Sequence, residues 1–552
     1  MLFLLSYDLK KVFSTGTNKY IIVIESLKRK EPLGYIFMKK RILIIIMVMA
    51  LLLSACTKKE EKENNDVGTG TVIDNTDNKE EKADNEKEGE NEPVEEAEPL
   101  TLDEYLALRT ALRNGEEAVL PQKLDLRDYG MVTPARNQGQ YETCWAFGSM
   151  GAIESNAIVS GFGEYNFSEY ELGYTTLNIL EDEDESIAGE GVTCDCKWFD
   201  YPAEPKYVYG PFMRGYIPVT ENDQPYKNIN KKLPHEALAG TVFNSHSCYI
   251  IPANDIELIK KMVIMNGSLT IGINAIPWLE AYGTYDRYAF YDNETTIDHF
   301  VTIVGWDDTY SIPNAPNTGA WFLKNSWGPS WGIKGHCYVS YYDGALNATN
   351  KLTSFVLTSK DAYDYQYQYD GGFGAGQLKS VTDVAIEFTV KEDQTITGVK
   401  IYPQLEFDGT LPASNVTIKV FKGITSIEET GNAAPIYTQV TPITLGGYQM
   451  LEFDEGVNIN KGDNILVTVT FDVPVKYAMD CPSKCKVVDQ FNEVRWCTVT
   501  TYANPNETFY KVTDDNNWKD AAVEKENSDM CIKVTVRNGH NKEVIHRMSI
   551  IR

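Results

Sequence analysis

Two composition regimes divide the chain after residue 101, and this change constrains the fold more than any other feature. Residues 120 to about 355 mix helical and strand-like segments. Beyond about residue 360 the apolar runs are short, rich in β-branched and aromatic residues, and separated by Gly, Asn, Asp and Pro. This second pattern is typical of a β-sandwich. The clearest predicted strands are 384–390, 395–402, 416–421, 465–471 and 532–536.

Length and charge narrow the functional classes. A chain of 552 residues is expected to form two or three domains, at roughly 150 residues per domain. Its net charge of −28 excludes a nucleic-acid binder, because neutralising phosphates requires a concentrated basic face. With 43% apolar residues and 11% aromatics, most of the chain can bury a core, which excludes wholesale disorder.

An export signal is expected at residues 38–56. A basic head at 39–41 precedes an apolar run from 42 to 53, and small residues lead to Cys56. The segment resembles a bacterial lipoprotein signal, which implies cleavage before Cys56 and lipidation of that cysteine. The alternative, an uncleaved membrane helix, is disfavoured because the apolar run is too short to span a bilayer comfortably. No role is assigned to the N-terminal extension 1–37.

Residues 57–98 are predicted to be a disordered acidic tether. The segment holds 16 acidic residues against 6 lysines and almost no large apolar side chains. Such a stretch cannot bury enough surface to offset its conformational entropy, and its like charges repel one another. A globular part is therefore expected to begin at about residue 99, on the extracellular face of the membrane.

The most informative segment surrounds Cys144. Apolar residues recur at three- and four-residue intervals from Ala146 to Ile158, and Gly161 can end the helix that this spacing predicts. Cys144 then lies in the first helical turn. Unpaired N–H groups and the positive end of the helix dipole stabilise a thiolate there, so Cys144 is a candidate nucleophile.

A base for this thiol is sought among the six histidines of the chain. His299 opens an apolar strand, and a second predicted strand, 320–324, leads into Asn325. If the two strands pair as a hairpin, His299 and Asn325 lie side by side. Asn325 could then hold the imidazole in one tautomer while the other ring nitrogen faces the sulfur.

Three separated motifs surround these residues: Asn137-Gln138-Gly139 with Cys144-Trp145-Ala146-Phe147, Asp298-His299-Phe300-Val301, and Asn325-Ser326-Trp327-Gly328. In these motifs and in their order, residues 121 to about 343 resemble a papain-type (C1 family) cysteine peptidase. The resemblance implies an α+β fold in which a two-lobed peptidase domain, with a helical lobe and a β lobe, occupies residues 99–355. An all-β sandwich at 356–540 and a tail at 541–552 are expected to follow.

The resemblance also implies roles for the motif residues. Cys144 would be the nucleophile, His299 the general base and later acid, and Asn325 the residue that orients His299. Gln138 and the backbone N–H of Cys144 would form the oxyanion hole, where a rigid amide donor is typically worth about 100- to 1000-fold in rate. Trp327 would shield the Asn325–His299 hydrogen bond from water. No cofactor and no metal are expected.

The sequence departs from the family pattern just before the nucleophile. Tyr141 stands where the family usually has a cysteine, and Glu142 stands where it usually has a glycine. The usual disulfide cannot form there, so this loop must be held by packing. Gly189 and Gly191 are weaker candidates for the glycine-rich strand that contacts the substrate backbone.

Disulfide pairing is left open by the sequence. Eight further cysteines could pair after export, and spacing does not decide between the connectivities. They are Cys194, Cys196, Cys248, Cys337, Cys481, Cys485, Cys497 and Cys531.

Three places in the C-terminal region carry a second resemblance: Tyr369-Asp370-Gly371, Trp518 and Cys531-Ile532-Lys533. In these places the region resembles the lectin-like domain found in some bacterial papain-type peptidases. The resemblance implies binding of cell-wall carbohydrate, in which an exposed ring such as Trp518 stacks on a sugar. The alternative is a buried Trp518 in a domain that serves only as a spacer or substrate platform.

Together these features predict a lipid-anchored cell-surface cysteine endopeptidase. Its expected partners are protein or peptide substrates, the membrane through Cys56, and cell-wall carbohydrate, without nucleic acid. Two alternatives use the same scaffold: a non-catalytic surface adhesin, and a transpeptidase or transamidase that forms the same acyl-enzyme.

Overall fold

The computed structural model describes residues 99–180, 187–233, 240–275, 278, 288–348, 351–406, 409–413, 415–488 and 493–540. The N-terminal extension 1–37, the predicted signal 38–56 with Cys56, the tether 57–98 and the tail 541–552 lie outside the described residues. All described residues belong to one compact unit, Glu92–Arg552.

Five of the seven described helices lie in the N-terminal half of this unit. They are α1 (Leu102–Arg113), α2 (Cys144–Val159), α3 (Glu169–Thr176), α4 (Tyr209–Arg214), α5 (Ile256–Asn266), α6 (Gly344–Ala348) and α7 (Ala521–Glu524). Short 3₁₀ turns occur at Leu126–Tyr129, Trp198–Asp200, Pro205–Val208, Tyr226–Asn228, Lys360–Ala362 and Ile427–Gly431.

The first part of the unit, residues 99–358, contains nine described strands. They are β1 (Lys123–Asp125), β2 (Gly191–Cys194), β3 (Asn244–Ile251), β4 (Leu269–Ile273), β5 (Ala289–Phe290), β6 (His299–Asp307), β7 (Ala320–Lys324), β8 (His336–Ser340) and β9 (Leu352–Thr358).

The second part is almost all β. Its strands are β10 (Tyr365–Gln368), β11 (Gly376–Thr389), β12 (Gln394–Ile401), β13 (Pro403–Gln404), β14 (Asn415–Lys422), β15 (Tyr437–Pro442), β16 (Gly446–Ile459), β17 (Asn464–Asp480), β18 (Ser483–Val488), β19 (Val494–Thr500), β20 (Thr508–Val512), β21 (Asp515–Asp520), β22 (Asp529–Met530) and β23 (Ile532–Asn538). All five strands that the sequence predicts here are confirmed.

The first part has a helical lobe and a β lobe, each with its own core. In the helical lobe, Trp145 and Met150 of α2 pack with Phe212 of α4. In the β lobe, apolar residues of β4, β6 and β7 pack with α5, and α1 covers the same core through Tyr105. The helix α2 lies between the two lobes, so all but one of its residues are buried. Such a buried central helix can hold a side chain in a fixed position at the lobe boundary.

The second part is a β-sandwich. One layer follows the order β15-β14-β17-β11-β20-β21, and the facing layer contains β10, β23, β12 and β16. Val399 of β12 and Val467 of β17 pack in the shared core between the layers. The predicted α+β fold, with a helical lobe, a β lobe and a C-terminal sandwich, is therefore confirmed.

Two strand pairings join the sandwich to the first part. β16 pairs antiparallel with β3, with Gly446 opposite Ile250 and Gln449 opposite Ser247, so a single twelve-stranded sheet runs through both parts. In a separate three-stranded sheet, β19 pairs with β2. The domain boundary after residue 355 stays a prediction; the strand β9 continues through it to Thr358.

A buried lysine adds polar contacts across this junction. Lys400 Nζ of β12 donates to Ser245 Oγ of β3 at 3.0 Å and to Tyr363 Oη at 2.9 Å. Burial lowers the pKa of Lys400 well below its usual range, since a charged ammonium is poorly solvated there. Gln366 Oε1 at 3.0 Å and Met213 O at 3.4 Å also accept hydrogen bonds from this nitrogen, so polar groups surround it.

Among the described residues, no helix has the length and hydropathy needed to cross a membrane.

Candidate active site

The nucleophile candidate lies where the sequence predicts it. Cys144 is the first residue of α2, and 6% of it is exposed. The helix packs closely on β6 because Gly151 faces Thr302: a Cβ atom at Gly151 would lie 2.8 Å from Thr302 Oγ1. The hydroxyl groups of Thr270 and Thr302 both donate to Gly148 O at 3.1 Å. These contacts fix the start of α2 against the strand that carries His299.

Backbone N–H groups point at the Cys144 sulfur. Burial raises the pKa of the Cys144 thiol to about 12, while hydrogen bonds from the N–H groups of Phe300 and Trp145 act in the opposite direction. Phe300 directly follows His299 in β6. Because the effect of burial is larger than that of these two hydrogen bonds, a thiolate at Cys144 needs a neighbouring positive charge to stabilise it.

His299 and Asn325 are brought together by the predicted hairpin. β6 and β7 pair antiparallel, with Thr302 opposite Lys324, and His299 Nε2 lies 2.7 Å from Asn325 Oδ1. Because a carbonyl oxygen only accepts, Nε2 carries the proton of the neutral ring and Nδ1 is left as the proton acceptor. Burial lowers the pKa of His299 to about 4, and the bond to Asn325 acts in the opposite direction.

Aromatic rings cover the His299–Asn325 contact. The Trp327 ring lies 5.1 Å from the imidazole, between centroids. Trp278 meets the imidazole edge-on at 6.2 Å and also contacts Trp327 at 6.1 Å. His299 is 5% exposed in this enclosure, so little water can compete for its hydrogen bond.

Gln138 is held at both ends of its side chain. Its Oε1 accepts from Ser326 Oγ at 2.6 Å, and its Nε2 donates to Tyr141 O at 2.8 Å. Its backbone N–H donates to Ser326 O at 2.9 Å. An amide nitrogen carries two hydrogens, so among the described contacts one hydrogen of Nε2 remains for a substrate oxygen. Rigid positioning of this kind is what an oxyanion donor requires.

Packing holds the loop before Cys144, in place of the disulfide that the sequence lacks. The Tyr141 ring meets Phe199 edge-on at 5.1 Å between centroids, and Glu142 N donates to Phe199 O at 2.9 Å. On the other side, the Tyr226 hydroxyl lies 2.7 Å from Thr143 Oγ1 and donates to Gln138 O at 3.0 Å.

The two weaker candidates lie beside the sandwich. A Cβ atom at Gly191 would lie 2.8 Å from Ile179 Cα, and Gly189, with φ of +82°, faces the Tyr502 ring. Close packing therefore accounts for glycine at both positions. A contact of either glycine with substrate stays a prediction.

One group of possible metal ligands occurs among the described residues, away from Cys144. Donor atoms of Asp370, Asp480 and Cys531 lie within 4.8 Å of one another. Lys533 Nζ lies 2.9 Å from Asp370 Oδ1, and both side chains are fully buried. The ammonium group thus supplies the positive charge that these acidic groups require.

Sequence reasoning missed several residues that support the site. Ser326 belongs to a recognised motif, yet nothing in the sequence shows that its hydroxyl holds Gln138. Tyr226, Phe199 and Trp278 come from distant segments without a motif. The missing cysteine at Tyr141 indicates only that packing has to hold this loop.

Comparison with known families agrees with this geometry. Residues 120–355 match the papain family of cysteine proteases, and residues 365–535 match the lectin-like domain. Residues 120–355 are therefore similar to a papain-family domain. Cys144, His299, Asn325 and Gln138 all fall within it.

Two curated relatives are each similar to less than half of this chain. Cysteine proteinase 1 of Dictyostelium discoideum is 28% identical over 249 residues, which are 43% of this chain and 66% of the relative. Cathepsin K of Mus musculus is 27% identical over 254 residues, 45% of this chain and 65% of the relative. The chain therefore spans slightly less than two thirds of each relative.

Solved structures match both parts. The cysteine protease and lectin-like domains of Cwp84, a surface layer associated protein of Clostridium difficile, superpose with a TM-score of 0.60 at 19% identity, covering 79% of this chain and 96% of that one. A second structure, of the clostridial cysteine protease Cwp84 after propeptide cleavage, gives a TM-score of 0.60 over 76% of this chain and 99% of that one. At this identity the similarity shows a shared fold.

The burial of Cys144 and His299 predicts how fast the thiol reacts at each pH. Alkylation of Cys144 by iodoacetamide should stay fast at pH 6 and decline as the pH falls through about 4, because a protonated His299 cannot take the thiol proton. In His299→Ala no imidazolium offsets the burial that raises the thiol pKa to about 12. Alkylation at pH 6 should therefore fall at least about 100-fold.

The matched control is His336→Ala, since burial also lowers the pKa of His336 to about 4. This variant should alkylate like the wild type. Equal rates in His299→Ala and wild type at pH 6 would show that His299 does not activate the sulfur.

Proposed function

We propose that this protein is a cysteine endopeptidase that hydrolyses peptide bonds through an acyl-enzyme on Cys144. The observation that carries the proposal is the His299 imidazole, 2.7 Å from Asn325 Oδ1, on a strand whose next N–H points at the Cys144 sulfur. A base oriented by a third group beside a thiol is the arrangement that nucleophilic catalysis requires. The papain-family match supports the same chemistry.

Acylation follows from these contacts. His299 Nδ1 takes the Cys144 proton, and the sulfur attacks the carbonyl carbon of the substrate. The oxygen of the tetrahedral intermediate becomes negative and accepts hydrogen bonds from Gln138 Nε2 and the Cys144 N–H. The intermediate collapses when the C–N bond breaks, and the His299 imidazolium gives its proton to the leaving amine.

Deacylation reverses these roles. The amine departs, and water enters beside the imidazole, which is again neutral. His299 removes a proton from this water, and the resulting hydroxide attacks the thioester. The C–S bond then breaks, the acid product leaves, and the sulfur recovers its proton through His299.

The two alternatives make different use of the same residues. A protein that only binds has no physical need for all four of Gln138, Cys144, His299 and Asn325. Their joint presence therefore favours a peptidase over an adhesin. A transpeptidase would share the acylation step and differ only in the acceptor, which would be an amine in place of water.

Cys144→Ala should lower peptide hydrolysis by the full-length protein by about 10⁴-fold or more, because no other group can form the acyl-enzyme. A thiol-alkylating epoxide should label Cys144 in the wild type. Hydrolysis is measured with a broad peptide library, and Cys196→Ser serves as a cysteine variant that keeps activity.

Each rival has its own result in this assay. Equal rates of hydrolysis by wild type and Cys144→Ala, or no hydrolysis by either across the library, would contradict the peptidase assignment. Alkylation of Cys144 no faster than that of a free thiol at pH 6 points to the adhesin. Amide products in the presence of an added amine identify the transpeptidase.

We further propose that the protein is anchored by a lipid on Cys56 at the extracellular face of the bacterial membrane. The signal-like segment 38–56 supports this location, and the Cwp84 neighbour is described as a surface layer associated protein. Cys56→Ser should move the protein from the membrane fraction to the soluble fraction, as measured by immunoblotting. An unchanged distribution would contradict lipid anchoring.

A second proposed activity is binding of cell-wall carbohydrate at Trp496. This ring is 44% exposed and borders an open cavity of about 510 Å³ lined by Thr193, Asp195, Lys484 and Thr498 as well. An exposed indole among hydroxyl and charged groups can stack on a sugar ring while its neighbours bond the sugar hydroxyls. The lectin-like match supports a carbohydrate ligand.

Trp518 is less suited to this role. It is half-buried against the small core around Phe421, and Lys511 Nζ lies 4.6 Å from the centre of its ring. Of the two interpretations that the sequence left open for Trp518, the structure favours packing.

Trp496→Ala in full-length Cys144→Ala protein should weaken retention on purified cell-wall polysaccharide by about tenfold, equivalent to about 1.4 kcal/mol of binding free energy. Co-sedimentation measures the bound fraction. Val494→Ala, an exposed position on the same strand, is the control and should bind normally. Equal retention of the Trp496 variant would contradict this site.

A further inference from the structure

Four cysteines from two distant segments meet in the three-stranded sheet of β18, β19 and β2. Cys485 lies directly opposite Cys497, and Cys497 lies directly opposite Cys194. Residues directly opposite in an antiparallel sheet present their side chains on the same face. Cys196 follows closely, and the Cys194 thiol donates to Cys196 O at 3.2 Å. All four are thiols in this structure.

Cys485 is the cysteine of this group that interacts with the Cys497 thiol. Burial raises the pKa of Cys497; hydrogen bonds from the hydroxyls of Tyr201 and Tyr207 lower it, and the neighbouring Cys485 thiol raises it again. Tyr207 Oη lies 3.5 Å from Cys497 Sγ. The interactions that affect Cys194 come instead from Cys196 and Asp195. Of the two cysteines opposite Cys497, Cys485 is therefore the one whose side chain interacts with the Cys497 thiol, whereas the Cys194 thiol is directed towards Cys196 O.

The backbone geometry at Cys485 and Cys497 suits a covalent bond. Disulfides require Cα atoms roughly 4.4–6.8 Å apart, and directly opposed residues of antiparallel strands lie about 4.5–5.5 Å apart. A bridge can thus form without separating the strands. Cys485 is half-exposed, whereas Cys497 is buried, so an external reagent reaches Cys485 first.

We propose that Cys485 and Cys497 are a dithiol that closes to a cross-strand disulfide by exchange with a small-molecule disulfide such as oxidised glutathione. The Cys485 thiolate attacks one sulfur of the reagent, its S–S bond breaks, and one glutathione leaves as a thiol after taking a proton. The Cys497 thiolate then attacks Cys485 Sγ in the mixed disulfide, and the second glutathione leaves. The protein loses two protons and two electrons, and the reagent gains them.

This bridge would reinforce a segment that supports the nucleophile loop. β19 pairs with β2, and just beyond β2 the N–H of Asp195 donates to Trp496 O at 3.0 Å. The same stretch of chain continues to Phe199, against which Tyr141 packs. The bridge would thus stabilise β19, the strand to which this stretch of chain is hydrogen-bonded.

The test is a peptide map of full-length Cys144→Ala protein, which removes the reactive thiol of the active site. The protein is equilibrated with graded mixtures of oxidised and reduced glutathione, quenched with iodoacetamide, digested and analysed by mass spectrometry. We expect a mass loss of about 2 Da and a linked peptide that joins Cys485 to Cys497. Cys248→Ser, in the buried strand β3, should give the same linkage.

Two variants test the order of the steps. Cys497→Ser should trap glutathione on Cys485 as a stable mixed disulfide, whereas Cys485→Ser should leave the buried Cys497 unmodified. Circular dichroism confirms that each variant is folded; if either is not, the map of the parent protein decides alone. A main product that links Cys194 to Cys497 or to Cys196, or no linkage at any glutathione ratio, would overturn the proposal.

Discussion

The close contact between α2 and β6 is the constraint on which the site depends. Small residues on the helix let its backbone approach the strand, and threonine hydroxyls of β4 and β6 hydrogen-bond to Gly148 O. This contact sets the sulfur of Cys144 beside the backbone of Phe300. A larger side chain at Gly151 would meet Thr302 and push α2, which carries Cys144, away from β6, which carries His299.

Burial at this contact disfavours an isolated charge on either Cys144 or His299. The same burial that opposes a lone thiolate at Cys144 also opposes a lone imidazolium at His299. An imidazolium at His299 and a thiolate at Cys144 would offset each other, and protonation would then belong to the pair rather than to either residue. Asn325 and the tryptophans around it keep the imidazole in one orientation. The enclosure thus favours one tautomer of the neutral ring, with the proton on Nε2 and with Nδ1 able to accept a proton.

Local patterns in the sequence predicted much of this arrangement. Helical spacing after Cys144 and two apolar strands were sufficient to place Cys144, His299 and Asn325, because each pattern lies within one short segment. The contacts that depend on chain path were not predictable. Ser326 holding Gln138, Phe199 bracing Tyr141 and the four-cysteine sheet all join segments far apart in sequence, with no periodicity to indicate them.

The pairing of β16 with β3 affects how such a protein could be divided. β3 is buried along its whole length, and without β16 part of its edge would expose unpaired N–H and C=O groups. Such an edge is a template for association between copies. A fragment that lacks the sandwich would therefore be prone to aggregate through this edge. Exchange of the sandwich for another module during evolution would require a replacement strand of the same register.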